Sequence, residues 1–387
     1  FDGRKLTVGP DSAGADPGPL CHGRAHARAL TLTDVDLVLG RLHPARFPLP
    51  LDRGRAEAGL AEVAAAVRAS GAEMSPLEVA EGLRAIAAER MAGAIREVTI
   101  RRGHDAREHA LVVFGGAGGQ HACAVARRLG IRTLVFHPLA GVLSAFGIGA
   151  ARVGWHGQAD AGAIAVEEAD VLEDRFVALE GEGRAALAAE GEAVAEALRR
   201  VDLRYRGTHT ALTLAWGPGL AEAFAEAHAR EFGYARPGHP VEVVAARVEL
   251  RGVGGAVAVK MAEGACPEVP ERSDMWIAGA WRSVPVVRRE SIAAGARIAG
   301  PALILEATAT IVLEAGFEAE LAADGCLVAR DVEGAGVVVG GAVDPVSLEI
   351  MGAKIAGIAR HMGVVLQRTA LSTNIRERLD FSCAVFD

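Results

Sequence analysis

The stretch from Ala110 to Gly130, ALVVFGGAGGQHACAVARRLG, constrains this chain more than any other. Its apolar run, Leu111-Val112-Val113-Phe114, is short and β-branched enough for a strand buried on both faces. Gly115-Gly116-Ala117-Gly118-Gly119 then breaks the chain. His121 to Leu129 follows with apolar residues at helical spacing, arginines in the last turn and Gly130 as the stop. Strand, glycine turn and helix together bring a ligand to backbone. Glycines remove the Cβ atoms that would hold it away, and the new helix offers unpaired N–H groups at its positive end. No Lys-Ser or Lys-Thr follows the glycines, and their spacing misses G-x-G-x-x-G, so neither common phosphate motif is present. Two readings remain: tight strand-to-helix packing, or a ligand such as a nucleotide. Four glycines where packing needs one favour the ligand.

A chain of 387 residues predicts two to four domains with ample apolar cores. The formal charge of −8, without a basic patch interleaved with aromatics, argues against nucleic acid. Five cysteines, Cys21, Cys123, Cys266, Cys326 and Cys383, lack C-x-x-C spacing and read as reduced thiols of a cytoplasmic protein. No run approaches about 18 apolar residues, so no membrane span is expected. The start at Phe1 and the finish at Asp387 both read as interrupted strands, which predicts a piece of a longer polypeptide.

Taken in order, Lys5 to Val8 reads as a strand, followed by an ordered Gly-Pro loop from Gly9 to Pro19. Thr33-Asp34 is expected to cap a short helix, Val35 to Leu42. Residues 52–103 read as two helices. The second opens on a capping box, Ser75-Pro76-Leu77-Glu78, and ends by Arg102. Thr133 to Phe136 is the next strand, and the βαβ order implies parallel pairing. Ser144 to Gly147 opens another helix. Residues 156–200 read as a solvated helical connector, and 201–260 as an α+β unit on an antiparallel sheet. Residues 275–332 read as a small β-barrel or sandwich, and Gly334 to Gly341 as a linker. Ser347 to Gln367 is one amphipathic helix whose apolar face asks for a partner, which predicts a homo-oligomer.

Several stretches together resemble the hydantoinase A/5-oxoprolinase family. They are Val8 to Pro19, Thr33-Asp34, Arg102 to Asp105, Phe114 to Cys123, Leu143-Ser144-Ala145, Tyr205 to Thr208 and Gly300-Pro301-Ala302. Asp344 to Ile350 and Asn374 to Ser382 resemble the start of its B-type partner. Gly118 to Cys123 is closer to the oxoprolinase branch than to branches with proline-leucine before the histidine. The resemblance implies an α/β fold: an actin-like (ASKHA) ATPase lobe over 1–155 with a helical insertion at 52–103. After it come the connector, the α+β unit, the β-rich unit and the start of a hydantoinase B-type domain at 343–387. It further implies ATP and Mg2+, with Gly115, Gly116, Gly118, Gly119, Gln120 and His121 facing nucleotide across a cleft. The first-lobe phosphate loop and most B-type residues are not in this sequence.

The activity implied is ATP-dependent hydrolysis of a cyclic amide, 5-oxo-L-proline to L-glutamate first. The remainder of the polypeptide, or a B-type subunit, would be needed for it. An ATP-dependent N-methylhydantoinase, a related ketone carboxylase subunit and a non-catalytic actin-like scaffold are the alternatives. In the tail, Arg376 and Arg378 could fork onto a substrate carboxylate while Glu377 and Asp380 act on water or metal. An internal ion-pair network is the competing reading. Asp16, Cys21 and His121 are acceptable ligands for Zn2+ or another divalent metal, although no local spacing supports them. His104-Asp105 reads as turn chemistry.

Overall fold

Side-chain caps set the first helices of the computed structural model. It describes residues 1–44, 47, 49–101, 104–208, 210–253, 271–334 and 344–369, with isolated positions 372, 375 and 382. Helix α1 (Leu32–Val38) starts earlier than expected because Thr31, not Thr33, is its N-cap, in a reciprocal box with Asp34. Asp34 is fully buried, and its oxygens also accept the N–H groups of Leu20 and Cys21 at 3.2 and 2.7 Å, which pins the Gly-Pro loop to the helix start. Asp52 caps α2 (Arg53–Ala69). The Ser75–Glu78 box opens α3 (Pro76–Arg101), with both of its hydrogen bonds made. Leu37, Leu60 and Ile86 are fully buried where these helices meet. The expected strand at Lys5–Val8 is irregular chain, although Leu6 is buried in the same core.

Strand β1 (Leu111–Val113), α4 (Gly118–Leu129) and β2 (Thr133–Phe136) form the expected parallel unit, Leu111 opposite Leu134. β1 is an edge strand, not one buried on both faces, and Val112 is 55% exposed. Helix α5 (Leu143–Ala150) follows.

The Ala- and Gly-rich text expected as a helical connector begins instead with a strand, β3 (Gly154–Ala165), before α6 (Glu173–Ala189). Small residues there leave room for Trp155, whose ring lies where a Cβ on Gly157 or Gly183 would stand. Strands β4 (Val194–Tyr205) and β5 (Leu212–Ala215), helix α7 (Leu220–Phe232) and β6 (Val241–Gly252) complete an antiparallel sheet of order β3-β6-β4-β5. Its core is built on Phe176, Leu203 and Phe224.

Seven further strands are β7 (Glu271–Ile277), β8 (Ala280–Arg288), β9 (Arg297–Ala299), β10 (Ala302–Leu305), β11 (Thr310–Leu313), β12 (Phe317–Leu321) and β13 (Leu327–Asp331). They do not close on themselves as a barrel. Three of them extend the first sheet in the order β1-β2-β13-β12-β9, and the rest form a second sheet, β11-β10-β8-β7. Side chains of both sheets and of α4 share one core, including Phe136, Ile311 and Phe317. The chain divides into two compact units, one taking Phe1–Ser144 with Lys260–Met362 and the other Ala145–Val259 with Gly363–Ser382.

Helix α8 (Pro345–Thr369) is anchored near its start by Ile350 in the helical core and by Glu349, which pairs with Lys5 and Arg90, each at 2.6 Å. Leu348, Met351, Ile355, Ile358 and Met362 are exposed, as the amphipathic pattern predicts. Arg102-Gly103, His209, Cys266, the linker beyond Gly334, and Arg376, Glu377, Arg378, Asp380 and Cys383 lie outside the described residues.

Candidate functional site

The glycines of the turn divide into distinct jobs. Gly115 has φ +87°, a conformation glycine adopts without strain, and its N–H donates to the Ala140 carbonyl at 2.7 Å. Gly119 is buried against β11: a Cβ there would lie 2.7 Å from the Thr310 carbonyl oxygen. Gly118 sits over Val113 Cγ1, with 3.2 Å available to a Cβ. Part of the glycine run therefore serves packing. The remainder is open, since Phe114, Gly116 and Ala117 are exposed.

Backbone accounting shows what that open part offers. The Gly118 N–H bonds the Gly115 carbonyl at 3.3 Å and the Gln120 N–H bonds the Ala117 carbonyl at 3.1 Å. The N–H groups of Gly116 and Ala117 have no acceptor among the described residues. Two adjacent exposed donors at a helix start suit an anionic or oxygen-rich ligand. Gln120 and His121, in contrast, are buried and turn into the protein.

Behind the turn lies a network that the sequence analysis did not foresee. Asp36 on α1, its side chain 1% exposed, meets Arg84 Nε of α3 at 2.7 Å and His121 Nε2 of α4 at 3.6 Å. Arg84 also donates to the Gln120 carbonyl at 2.9 Å, so α3 holds the first turn of α4. Glu314, just beyond β11, accepts from Arg41 at 3.2 Å and lies 4.0 Å from Arg84 and 3.9 Å from Arg127. Arg127 then pairs with Asp331 at 3.2 Å. Burial alone would raise the Glu314 carboxyl, but Arg41 and Arg84 outweigh it and hold the group below its ordinary range. Burial pushes His121 down, against the pull of Asp36, so its imidazole is neutral at pH 7. The one sequence signal was Arg84, which falls inside the apolar stripe of α3 between Ala80 and Ala87. Nothing in a single sequence marks its partners.

The trio Asp16, Cys21 and His121 is not brought together. Asp16 is exposed and pairs with Arg24 at 3.1 Å, Cys21 is sealed in the helical core, and His121 faces Asp36. Among the described residues no group of three His, Cys, Asp or Glu side chains could hold a metal. Burial pushes the thiols of Cys21 and Cys123 each up to about 12, which removes the thiolate that zinc requires. Iodoacetamide at pH 7.5 is therefore expected to leave both unmodified in the folded chain and to alkylate both in urea. Peptide mass spectrometry reads the difference. Modification of Cys21 without denaturant would show that the loop over it opens. Asp105 is a turn residue, accepting the Arg107 N–H at 2.9 Å and gripping its guanidinium.

The chain belongs to the hydantoinase/oxoprolinase family: the Hydantoinase/oxoprolinase model matches residues 1–156 and the Hydantoinase B/oxoprolinase model residues 344–387. Within it, the chain is 34% identical to 5-oxoprolinase PfmaA of Pestalotiopsis fici over 98% of its own length, and 34% identical to 5-oxoprolinase 1 of Arabidopsis thaliana over 98%. It spans about a third of each relative, 32%. Its fold is that of the ATP-dependent caprolactamase from Pseudomonas jessenii (TM-score 0.69, 24% identity, 85% of this chain and 52% of that one). A nucleotide-free acetone carboxylase shares it too (TM-score 0.67, 21% identity, 84% and 50%). No described helix is long and apolar enough to cross a membrane.

Proposed function

We propose that this chain is the nucleotide-turn part of an ATP-dependent cyclic-amide hydrolase that opens 5-oxo-L-proline to L-glutamate. The observation that carries the reading is the 34% identity to proteins named 5-oxoprolinase along 98% of the chain. The open Gly116 and Ala117 amides supply a physical reason for nucleotide to sit there. A lactam carbonyl is a poor electrophile, and ATP, when bound, would activate it by phosphorylating its oxygen so that water can open the ring. In this chain, Gly116 and Ala117 would orient the nucleotide, and the network around Asp36 would keep the first turn of α4 fixed while they do so.

We assign the metal, the substrate carboxylate and the attacking water to the B-type part, whose family model begins to match at residue 344. Residues 344–387 would begin that part, and Arg376 to Asp380 remain its candidates toward substrate. We place the protein in the cytoplasm, with the remaining B-type polypeptide as its partner and with self-association through α8. A hydantoinase or ketone-carboxylase activity is the second reading, favoured by the shared fold with acetone carboxylase.

ATP-dependent release of glutamate from 5-oxoproline by the full polypeptide tests the substrate. If it consumes ATP only with a hydantoin or a ketone, the second reading replaces the first. On this chain alone, MgADP is expected to slow hydrogen exchange across residues 113–120. Unchanged exchange at saturating nucleotide would favour a scaffold role.

A further inference from the structure

Helix α4 ends on Arg127-Arg128, and a basic last turn is what the negative end of a helix favours. Two more cations meet them from other helices, Arg96 of α3 and Lys354 of α8. Neither stands in the last turn of its own helix, so the helix dipole does not account for them. Together with Glu89 and Gly357 these four residues line a cavity of about 370 Å³, all within one of the two compact units.

The charges around this recess do not balance. Arg127 is already committed, to Asp331 at 3.2 Å and to the Ala315 carbonyl at 2.6 Å. Arg96 and Arg128 share the single carboxylate of Glu89, at 3.8 and 3.4 Å. Arg128 Nε is buried and makes no hydrogen bond. Burial holds the Arg128 guanidinium below its ordinary range in spite of Glu89. Lys354 is half-buried and has no acidic partner among the described residues. Three cations therefore face one carboxylate, which leaves an excess of two positive charges in a recess whose walls concentrate their field. The space itself is kept open. Gly357 lies inside α8, where glycine is disfavoured relative to alanine, yet a Cβ there would meet nothing within 4 Å. Packing does not require that glycine, and a side chain in its place would occupy the recess.

We propose that this recess binds a small organic dianion, a dicarboxylate or a phosphate monoester, with its oxygens held by Arg96, Arg128 and Lys354. The site is separate from the glycine turn, which lies at the opposite end of α4, and it does not rest on the nucleotide reading. Arg96 and Arg128 fall in the stretch that matches the Hydantoinase/oxoprolinase model, and Lys354 in the Hydantoinase B/oxoprolinase match. A bound dianion thus ties the A-type part to the first helix of the B-type part.

Calorimetric titration of the full chain at pH 7.5 and low salt tests this, with glutarate and glycerol 3-phosphate as dianions and acetate as the monoanion. A dianion is expected to bind at least about ten-fold more tightly than acetate. Binding of only one of the two identifies the head group. Lys354→Met removes a cation that has no ion pair to break, and Gly357→Leu fills the recess without touching a charge. Each should weaken dianion binding at least about ten-fold while the unliganded chain melts near the wild-type temperature. The dianion should also raise the melting temperature of the wild-type chain and leave that of both variants unmoved. Dianion affinity no better than that of acetate, or unchanged in both variants, overturns the site.

Discussion

Replacing Asp36 by asparagine is expected to lower the unfolding free energy of the chain by about 3–5 kcal/mol, the range for removing one partner of a buried ion pair. The carboxylate is almost completely buried, and Arg84 Nε sits 2.7 Å from it. Asparagine keeps the volume but leaves the Arg84 charge with Glu314 alone, 4.0 Å away. That remainder is a poor substitute, because Glu314 is already shared with Arg41 and Arg127. The loss also reaches α4, since Arg84 is what holds the Gln120 carbonyl. Urea unfolding at pH 7.5, followed by tryptophan fluorescence and by hydrogen exchange of α4, measures it. A change below about 1 kcal/mol would mean that water already solvates the pair.

The wild-type pH profile carries a second sign from the same network. His121 has its folded pKa pushed below its ordinary 6.5, so the unfolded chain binds the extra proton first and stability falls as pH drops below 6.5. Glu314 is held below its ordinary 4.5, so its contribution is present above that value and fades as pH falls through the lower folded pKa. Both groups make acid destabilising.

What could be read from the sequence was whatever depends on neighbours close along the chain. The Ser75–Glu78 box, the basic last turn of α4, the parallel β1–β2 unit and the long face of α8 are local patterns, and each formed. Misreadings arose where distant segments decide. Val112 looked like the middle of a buried strand, but its side chain is 55% exposed, because no described segment packs over the face of β1 that it occupies. The text around Gly157 looked helical because alanine and glutamate favour helices. It is a strand because β6 pairs with it from Gly154 to Asp160 and again at Ile164–Ala165, and Trp155 needs the space its glycines leave. The glycine turn itself was visible, yet the division of its glycines between packing and opening was not. That division is set by Thr308, Thr310 and Ile311, whose approach no local spacing encodes.

That division makes the last prediction a contrast between two alanine substitutions three residues apart. Gly119→Ala places a methyl group 2.7 Å from the Thr310 carbonyl oxygen and 3.0 Å from Ile311 Cγ1, within a closed core. One of those contacts is to strand backbone, so β11 or the start of α4 must move, at a cost of about 1–3 kcal/mol. A small offset comes from the better helix propensity of alanine. Gly116→Ala meets the Thr308 carbonyl oxygen at 3.1 Å on an exposed turn that can give way, and Gly116 has no positive φ to forbid a side chain. Its stability should change by less than about 1 kcal/mol, while the new methyl group stands beside the open amides and weakens MgADP binding at least about ten-fold. Thermal unfolding and nucleotide titration of both variants separate the two jobs. G119A should fail mainly in melting, and G116A mainly in binding. If G116A binds MgADP like the wild type, the open amides of Gly116 and Ala117 are not where the nucleotide rests.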